Sequence, residues 1–230
     1  MRIAGVQKLT LLDYPGQIAC TVFLPGCNLR CPFCHNPSLV LPHRFEDPLT
    51  DEDGLLEFLR SRQGKLDGVC VTGGEPTLHP ELAQLLRRIK ALGFLVKLDT
   101  NGTQPGVLRS LLQDGLVDYI AMDVKNSPAH YWETCGETDV LPAVAQSVAL
   151  LLEGHVDYEF RTTVVHPLHT LDDFDAIGRW LAGAKRYYLQ QFVDSGDLIG
   201  TNLSPMDSPQ MEAFRQCLLP YIPNTQLRGI

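Results

Sequence analysis

Three thiols share one short stretch of this chain, "LPGCNLRCPFCHNP" at 24–37, where Cys27, Cys31 and Cys34 are spaced C-x3-C-x2-C among Pro, Gly and Asn. Thiolates select zinc or iron–sulfur clusters. A structural zinc or an electron-carrying cluster normally takes four protein ligands, so a group of three asks what fills the fourth place. His35 adjoins Cys34 and offers a Cys3His zinc site, although consecutive residues usually point apart. The spacing also differs from the ferredoxin run C-x2-C-x2-C and from the paired C-x2-C of zinc ribbons. A cubane cluster held by three cysteines keeps one iron without a protein ligand. That iron can take the amino and carboxylate groups of a substrate, and the open position is then the active site.

Other residues suited to chemistry are "GGEP" (73–76), "DTNG" (99–102), "DVK" (123–125) and Arg161. What must position them is a regular beat of β-branched and aromatic runs at 18–24, 68–73, 94–100, 118–124, 158–165 and 186–192, which read as strands. Helical patterns lie between them, near 51–63, 80–93, 105–114, 141–153 and 171–183, with a last one near 208–221. "HPEL" sets Pro at a helix start and "ALGF" sets Gly at its end. Near-continuous apolar strands alternating with helices imply a parallel sheet covered by helices. The expected fold is α/β, a partial (β/α)6 TIM-like barrel in one domain over 1–230, with a doubly wound open sheet as the alternative. Nearly all the chemistry-bearing residues then fall at strand C-terminal ends, where such folds build their sites.

The chain has 230 residues, 44% hydrophobic and 20% charged, enough for a sizeable core. Its net charge of −8, with no Lys/Arg run, gives no electrostatic footprint for nucleic acid or an anionic membrane. The start, "MRIAGVQKLTLLDYPG", has charge and Pro where a signal peptide needs an apolar run. No stretch has the roughly 18 apolar residues of a spanning helix. A cytoplasmic protein is expected. Seven cysteines, three in one loop, point to metal or redox chemistry rather than disulfides.

The Cys loop with Phe33 before its last cysteine, followed by GGEP, resembles the radical S-adenosylmethionine superfamily. More narrowly, "KLTLLDYPG", "TVFLPGCNLRCPFCHNP", "VTGGEPTL", "VKLDTNGT", "YIAMDVK", "YEFRTTVV" and "YLQQF" resemble the activating proteins of anaerobic ribonucleoside-triphosphate reductases across nearly the whole chain. Activators of pyruvate formate-lyase and of other glycyl radical enzymes share the Cys loop, GGEP and D-x-K. "DYPG" at 13–16 stands where the pyruvate formate-lyase activator typically has D-G-P-G. The resemblance implies a [4Fe-4S] cluster on Cys27, Cys31 and Cys34 that chelates S-adenosylmethionine. One electron then cleaves the sulfonium to a 5′-deoxyadenosyl radical, which takes hydrogen from a glycine of a partner glycyl radical enzyme. Reduced flavodoxin or ferredoxin would supply the electron. It further implies that Gly73, Gly74 and Glu75 meet the methionyl ammonium, that Asp99 and Asn101 bind ribose, that Lys125 or Arg161 offsets the carboxylate, and that Phe33 and His35 contact adenine. A monovalent cation, Na+ or K+, is implied on Asp99, Thr100, Asp123 and the carbonyl of Ala121.

Bland readings stand beside these. Cys20 and Cys70 read as buried strand residues and Cys217 as structural, while Cys135 is the one loop thiol left over. His166 and His169 read as a surface turn and Trp132 and Trp180 as packing residues. With no further Cys cluster, a second iron–sulfur site is not expected. The span from Cys34 to Gly73 is too short for an inserted ferredoxin domain. Two other classes remain open: a radical enzyme acting on a small molecule or peptide, and a metal-binding or electron-transfer module without catalysis, which leaves GGEP and DTNG unexplained.

Overall fold

The computed structural model describes residues 1–41, 50–136 and 139–230. In chain order its strands are β1 (Arg2–Ile3), β2 (Gly5–Thr10), β3 (Ala19–Leu24), β4 (Thr50–Asp51), β5 (Gly68–Gly73), β6 (Leu95–Thr100), β7 (Tyr119–Asp123), β8 (Asp157–Val164), β9 (Tyr187–Gln191) and β10 (Thr225–Arg228). The helices are α1 (Pro37–Val40), α2 (Glu52–Arg60), α3 (Leu82–Ala91), α4 (Pro105–Gln113), α5 (Tyr131–Cys135), α6 (Leu141–Leu152), α7 (Leu171–Trp180) and α8 (Ser208–Leu218). The expected strands and helices are all present. Beyond them lie the edge strands β2 and β10, the β1–β4 pair and the short helices α1 and α5.

The main sheet runs β10-β9-β8-β7-β6-β5-β3-β2 and is parallel throughout except at the antiparallel β2–β3 pair. It is open, and it curls. The Tyr14 ring, in the β2–β3 turn, reaches across to Tyr119 on β7 with centroids 6.0 Å apart. Arg228 on β10 reaches Glu159 on β8 at 2.8 and 3.0 Å. This is the partial-barrel geometry expected, without closure.

The strands are not apolar on both faces. Cys20, Val22 and Leu24, Val69 and Val71, Val96 and Leu98, Ile120 and Met122, and Phe160 are buried in one cluster with the helices. Alternate residues point into the curl and are polar: Cys70, Lys97, Asp99, Asp123, Glu159 and Arg161. Period-two alternation thus divides each strand between a packing face and a lumen face. Helices α2, α7 and α8 start at side-chain caps, with Asp51 accepting from Gly54 and full capping boxes at Thr170/Asp173 and Asp207/Gln210. Among the described residues no helix is long and apolar enough to cross a membrane.

Candidate active site

The loop after β3 is held at both ends. Gly26 N donates to Leu39 O at 2.7 Å, Arg30 N to Cys135 O at 2.9 Å and Gly200 N to Pro32 O at 2.8 Å. The Arg30 guanidinium donates to the Cys27 and Leu29 carbonyls at 2.7 and 2.8 Å. These bonds place Cys27, Cys31 and Cys34 on the wall of one cavity of about 250 Å3. Cys135 is fully buried and contributes its carbonyl to the loop.

Burial pushes all three thiols up, Cys31 to about 12, so a metal must supply the charge that makes them thiolates. Among the described residues no three His, Cys, Asp or Glu side chains gather as ligands of a single ion. Three thiols on one cavity wall are a donor set for a cluster in which each thiolate would take a different iron. The Cys27 sulfur already receives the backbone N–H of Leu29 at 3.4 Å and the Asn101 amide at 3.8 Å, as ligand sulfurs commonly do.

Facing the thiols, Gly73, Gly74, Asp99, Thr100, Asn101, Asp123, Lys125 and Arg161 line the same cavity, together with Phe33 and His35. Phe33 is buried beside His169, while His35 stacks on Phe192 with centroids 5.9 Å apart. Gly73 has φ +125°, and a β-carbon on Gly73 or Gly74 would strike the backbone of Leu24 or Gly26. Gly74 N and Glu75 N donate to Leu24 O and Gly26 O at 2.8 and 2.7 Å. The glycines therefore let the end of β5 latch onto the start of the Cys loop.

Glu75 departs from its expected role. It is 0% exposed, does not line the cavity, and accepts from Thr77 N at 3.0 Å, Thr77 Oγ1, Thr100 Oγ1 at 2.8 Å and Asn101 N at 2.6 Å. Burial raises its carboxyl while those donors oppose the shift. Glu75 joins the ends of β5 and β6 behind the wall. Asn101 is likewise committed: its Oδ1 accepts from Thr103 N and Oγ1, and its Nδ2 donates to Asn28 Oδ1 at 3.0 Å. It orders the Cys loop.

The cavity floor is a row of charges. Arg161 Nε donates to Asp123 Oδ1 at 2.9 Å and its Nη1 to Asp99 Oδ2 at 3.3 Å, while Lys125 Nζ donates to Asp123 Oδ2 at 3.0 Å. Lys97 Nζ binds Asp99 Oδ1 from behind. Burial would raise both carboxyls. Arg161 with Lys97 outweighs it at Asp99, and Arg161 with Lys125 at Asp123, so both lie below the ordinary carboxylate range. Burial would lower Lys125 and Arg161, but the carboxylates hold both above their ordinary values. Ala121 is buried within β7, paired with Asp99 and Glu159.

Elsewhere, His169 is no surface turn: it is 3% exposed and its Nε2 lies 2.9 Å from the Lys125 carbonyl, which fixes the end of β7. Trp132 is exposed, whereas Trp180 packs edge-on against Tyr131. Sequence reasoning missed Lys97 and Asn28. Lys97 was detectable as the residue sharing a strand face with Asp99, two positions on.

The model of the Radical SAM superfamily matches residues 21–181 of the chain. A protein of Methanocaldococcus jannaschii named as a glycyl-radical enzyme activating enzyme is 30% identical over 99% of this chain and 96% of its own length. The pyruvate formate-lyase-activating enzyme of Clostridium pasteurianum is 35% identical over 54% of this chain and 52% of its own. In fold, Streptococcus suis SuiB bound to S-adenosylmethionine superposes with a TM-score of 0.70 at 14% identity, over 91% of this chain and 52% of that one.

Proposed function

This chain belongs to the radical S-adenosylmethionine superfamily, and we propose that it activates a glycyl radical enzyme, with anaerobic ribonucleoside-triphosphate reductase as the partner. The carrying observation is that three thiols share a cavity with a charged floor able to receive an amino-acid group. The match to the archaeal activating enzyme over 99% of the chain supports the protein substrate. When bound, a [4Fe-4S] cluster and S-adenosylmethionine supply one-electron cleavage of the sulfonium to a 5′-deoxyadenosyl radical, which takes a hydrogen atom from the partner's glycine and leaves 5′-deoxyadenosine.

The residues of this chain hold and orient. Cys27, Cys31 and Cys34 are the cluster ligands, and Asn101 with the Leu29 amide steadies the Cys27 sulfur. Backbone at Gly73 and Gly74 is the surface open to the ammonium. Lys125 and Arg161 would receive the carboxylate, Phe33 and His35 would border the adenine, and Asp99 would meet the ribose hydroxyls. The loop, α1 and the strand ends exclude water from the reacting atoms. Reduced flavodoxin or ferredoxin is the proposed electron donor. An alkali cation on Asp99, Thr100, Asp123 and the Ala121 carbonyl forms no part of this proposal, because the oxygens of both carboxylates already receive Lys97, Arg161 and Lys125.

The test is anaerobic reconstitution with iron and sulfide, reduction, and addition of S-adenosylmethionine with the anaerobic reductase or with pyruvate formate-lyase. The expected result is 5′-deoxyadenosine in proportion to a glycyl radical signal on the reductase. Radical formation only on pyruvate formate-lyase reassigns the partner. Consumption of a small metabolite with no protein radical overturns the activase reading.

A further inference from the structure

Lys97 is the one member of the floor's charge row that does not line the cavity. It is 1% exposed, inside the curl of the sheet, with its ammonium on Asp99 Oδ1 and 3.7 Å from the Cys70 sulfur. A buried lysine is costly unless paired, and this one is paired with Asp99 away from the cavity wall. Its effect is on the charge sum. Arg161 and Lys125 alone would only balance Asp99 and Asp123. With Lys97 the row carries one net positive charge. Three further carboxylates lie near the row but outside the cavity wall: Glu159 is bound by Arg228 and by Tyr119, Asp13 accepts from the Thr21 hydroxyl, and Glu75 accepts from Thr77, Thr100 and Asn101.

The same pairing leaves donors unspent at the front. Arg161 has five N–H donors, of which Nε and Nη1 are used, and Lys125 uses one of three. Because Lys97 holds Asp99 from behind, Arg161 is not the sole counter-ion of that carboxylate.

We propose that Lys97 is a positioning residue acting as a built-in counter-ion, which gives the cavity floor the single positive charge that binds a ligand carboxylate without an alkali cation. This rests on the reading that S-adenosylmethionine is the ligand. The carboxylate docks on Arg161 and Lys125, and Lys97 acts through Asp99.

The experiment compares binding of S-adenosylmethionine and its decarboxylated analogue to the reconstituted protein by calorimetry, in wild type and Lys97→Met. Each is measured in potassium and in tetramethylammonium buffers. Removing one charge a short distance behind the floor is expected to weaken the carboxylate-bearing ligand roughly ten- to hundredfold, and to leave the analogue within about threefold. Wild type is expected to be indifferent to potassium. In Lys97→Met, potassium is expected to restore part of the lost affinity and to raise the melting temperature of the metal-free protein, since a small cation can occupy the place beside Asp99. If Lys97→Met does not fold, Lys97→Gln keeps a hydrogen bond to Asp99 without the charge and is read in the same way. Equal weakening of both ligands, or a wild type that needs potassium, overturns the inference. A wild-type protein that takes up its cluster but binds neither ligand overturns the underlying reading, which is a separate outcome.

Discussion

Strands β6, β7 and β8 carry two regions of opposite character on one backbone. Val96, Leu98, Ile120, Met122 and Phe160 face the helices and are 0% exposed, an apolar layer in which shape and volume decide the energy. Lys97, Asp99, Asp123, Glu159 and Arg161, one residue away in each case, face the lumen and are tied by ion pairs. The difference shows how one sheet separates two tasks. Apolar burial on the outside holds the strands in register, so the inside can carry charges that would be ruinous in an unpaired core.

That contrast can be broken in graded steps. The largest effect is expected at the thiols: Cys27→Ala, Cys31→Ala or Cys34→Ala should abolish the broad visible absorption of the reconstituted protein. Cys20→Ala on the packing face, Cys70→Ala in the lumen and Cys217→Ala should all retain it. Iron bound with full absorption by any of the first three would remove that thiol from the ligand set.

Next comes the packing face. Phe160→Ala should cost about 3–5 kcal/mol of stability through the cavity it leaves, seen as a lowered denaturant midpoint. Cluster absorption should persist wherever the protein is folded. Behind the wall, Glu75→Gln should cost less, about 1–3 kcal/mol, since an amide replaces one oxygen and faces the Asn101 or Thr100 donor. The readout specific to Glu75 as a clamp is weaker binding of S-adenosylmethionine and of the decarboxylated analogue alike. A loss confined to ligands with an ammonium would return Glu75 to the role of a direct contact.

The smallest effect is in the pH profile. The carboxyls of Asp99 and Asp123 are depressed in the folded protein, so their stabilisation is present above the unfolded carboxylate value, near 4, and is lost as pH falls through the folded values. Asp123→Asn should therefore flatten the decline in stability below about pH 4, measured by urea unfolding at stepped pH. An unchanged slope would show that the acid response arises elsewhere.

How much of this was legible in the sequence differs from strand to strand. The six internal strands announced themselves because buried β-branched runs are long and bounded by turn residues. The edge strands did not: β2 is "GVQKLT" with three exposed residues, and β10 is the four-residue "TQLR", too short and polar for a periodic signal. The site was legible as a placement, since Cys27, Gly73, Asp99 and Asp123 lie at or just past strand ends and, with Arg161 inside β8, line one cavity. Side-chain direction was not. GGEP marks where backbone turns but leaves open which way Glu75 points, and the donors that claim it come from Thr77, Thr100 and Asn101 on other segments. Lys97 was hidden inside "FLVKLDT", where apolar neighbours make a strand look uniformly buried unless its two faces are read separately.

The sheet described above ends in two strands, β2 and β10, that are not paired with each other. A closed barrel has a circumference fixed by its hydrogen-bond ladder, and widening it means tearing that ladder. An open one has a seam. Its bore can be let out or taken in by bending alone, at the expense of side-chain contacts across the lumen such as Tyr14 on Tyr119 and with every interstrand hydrogen bond intact. The seam lies along one line, parallel to the strands and on the opposite side of the sheet order from the β6–β8 wall that carries the charges, so a change of bore there would leave the backbone ladder of that wall untouched.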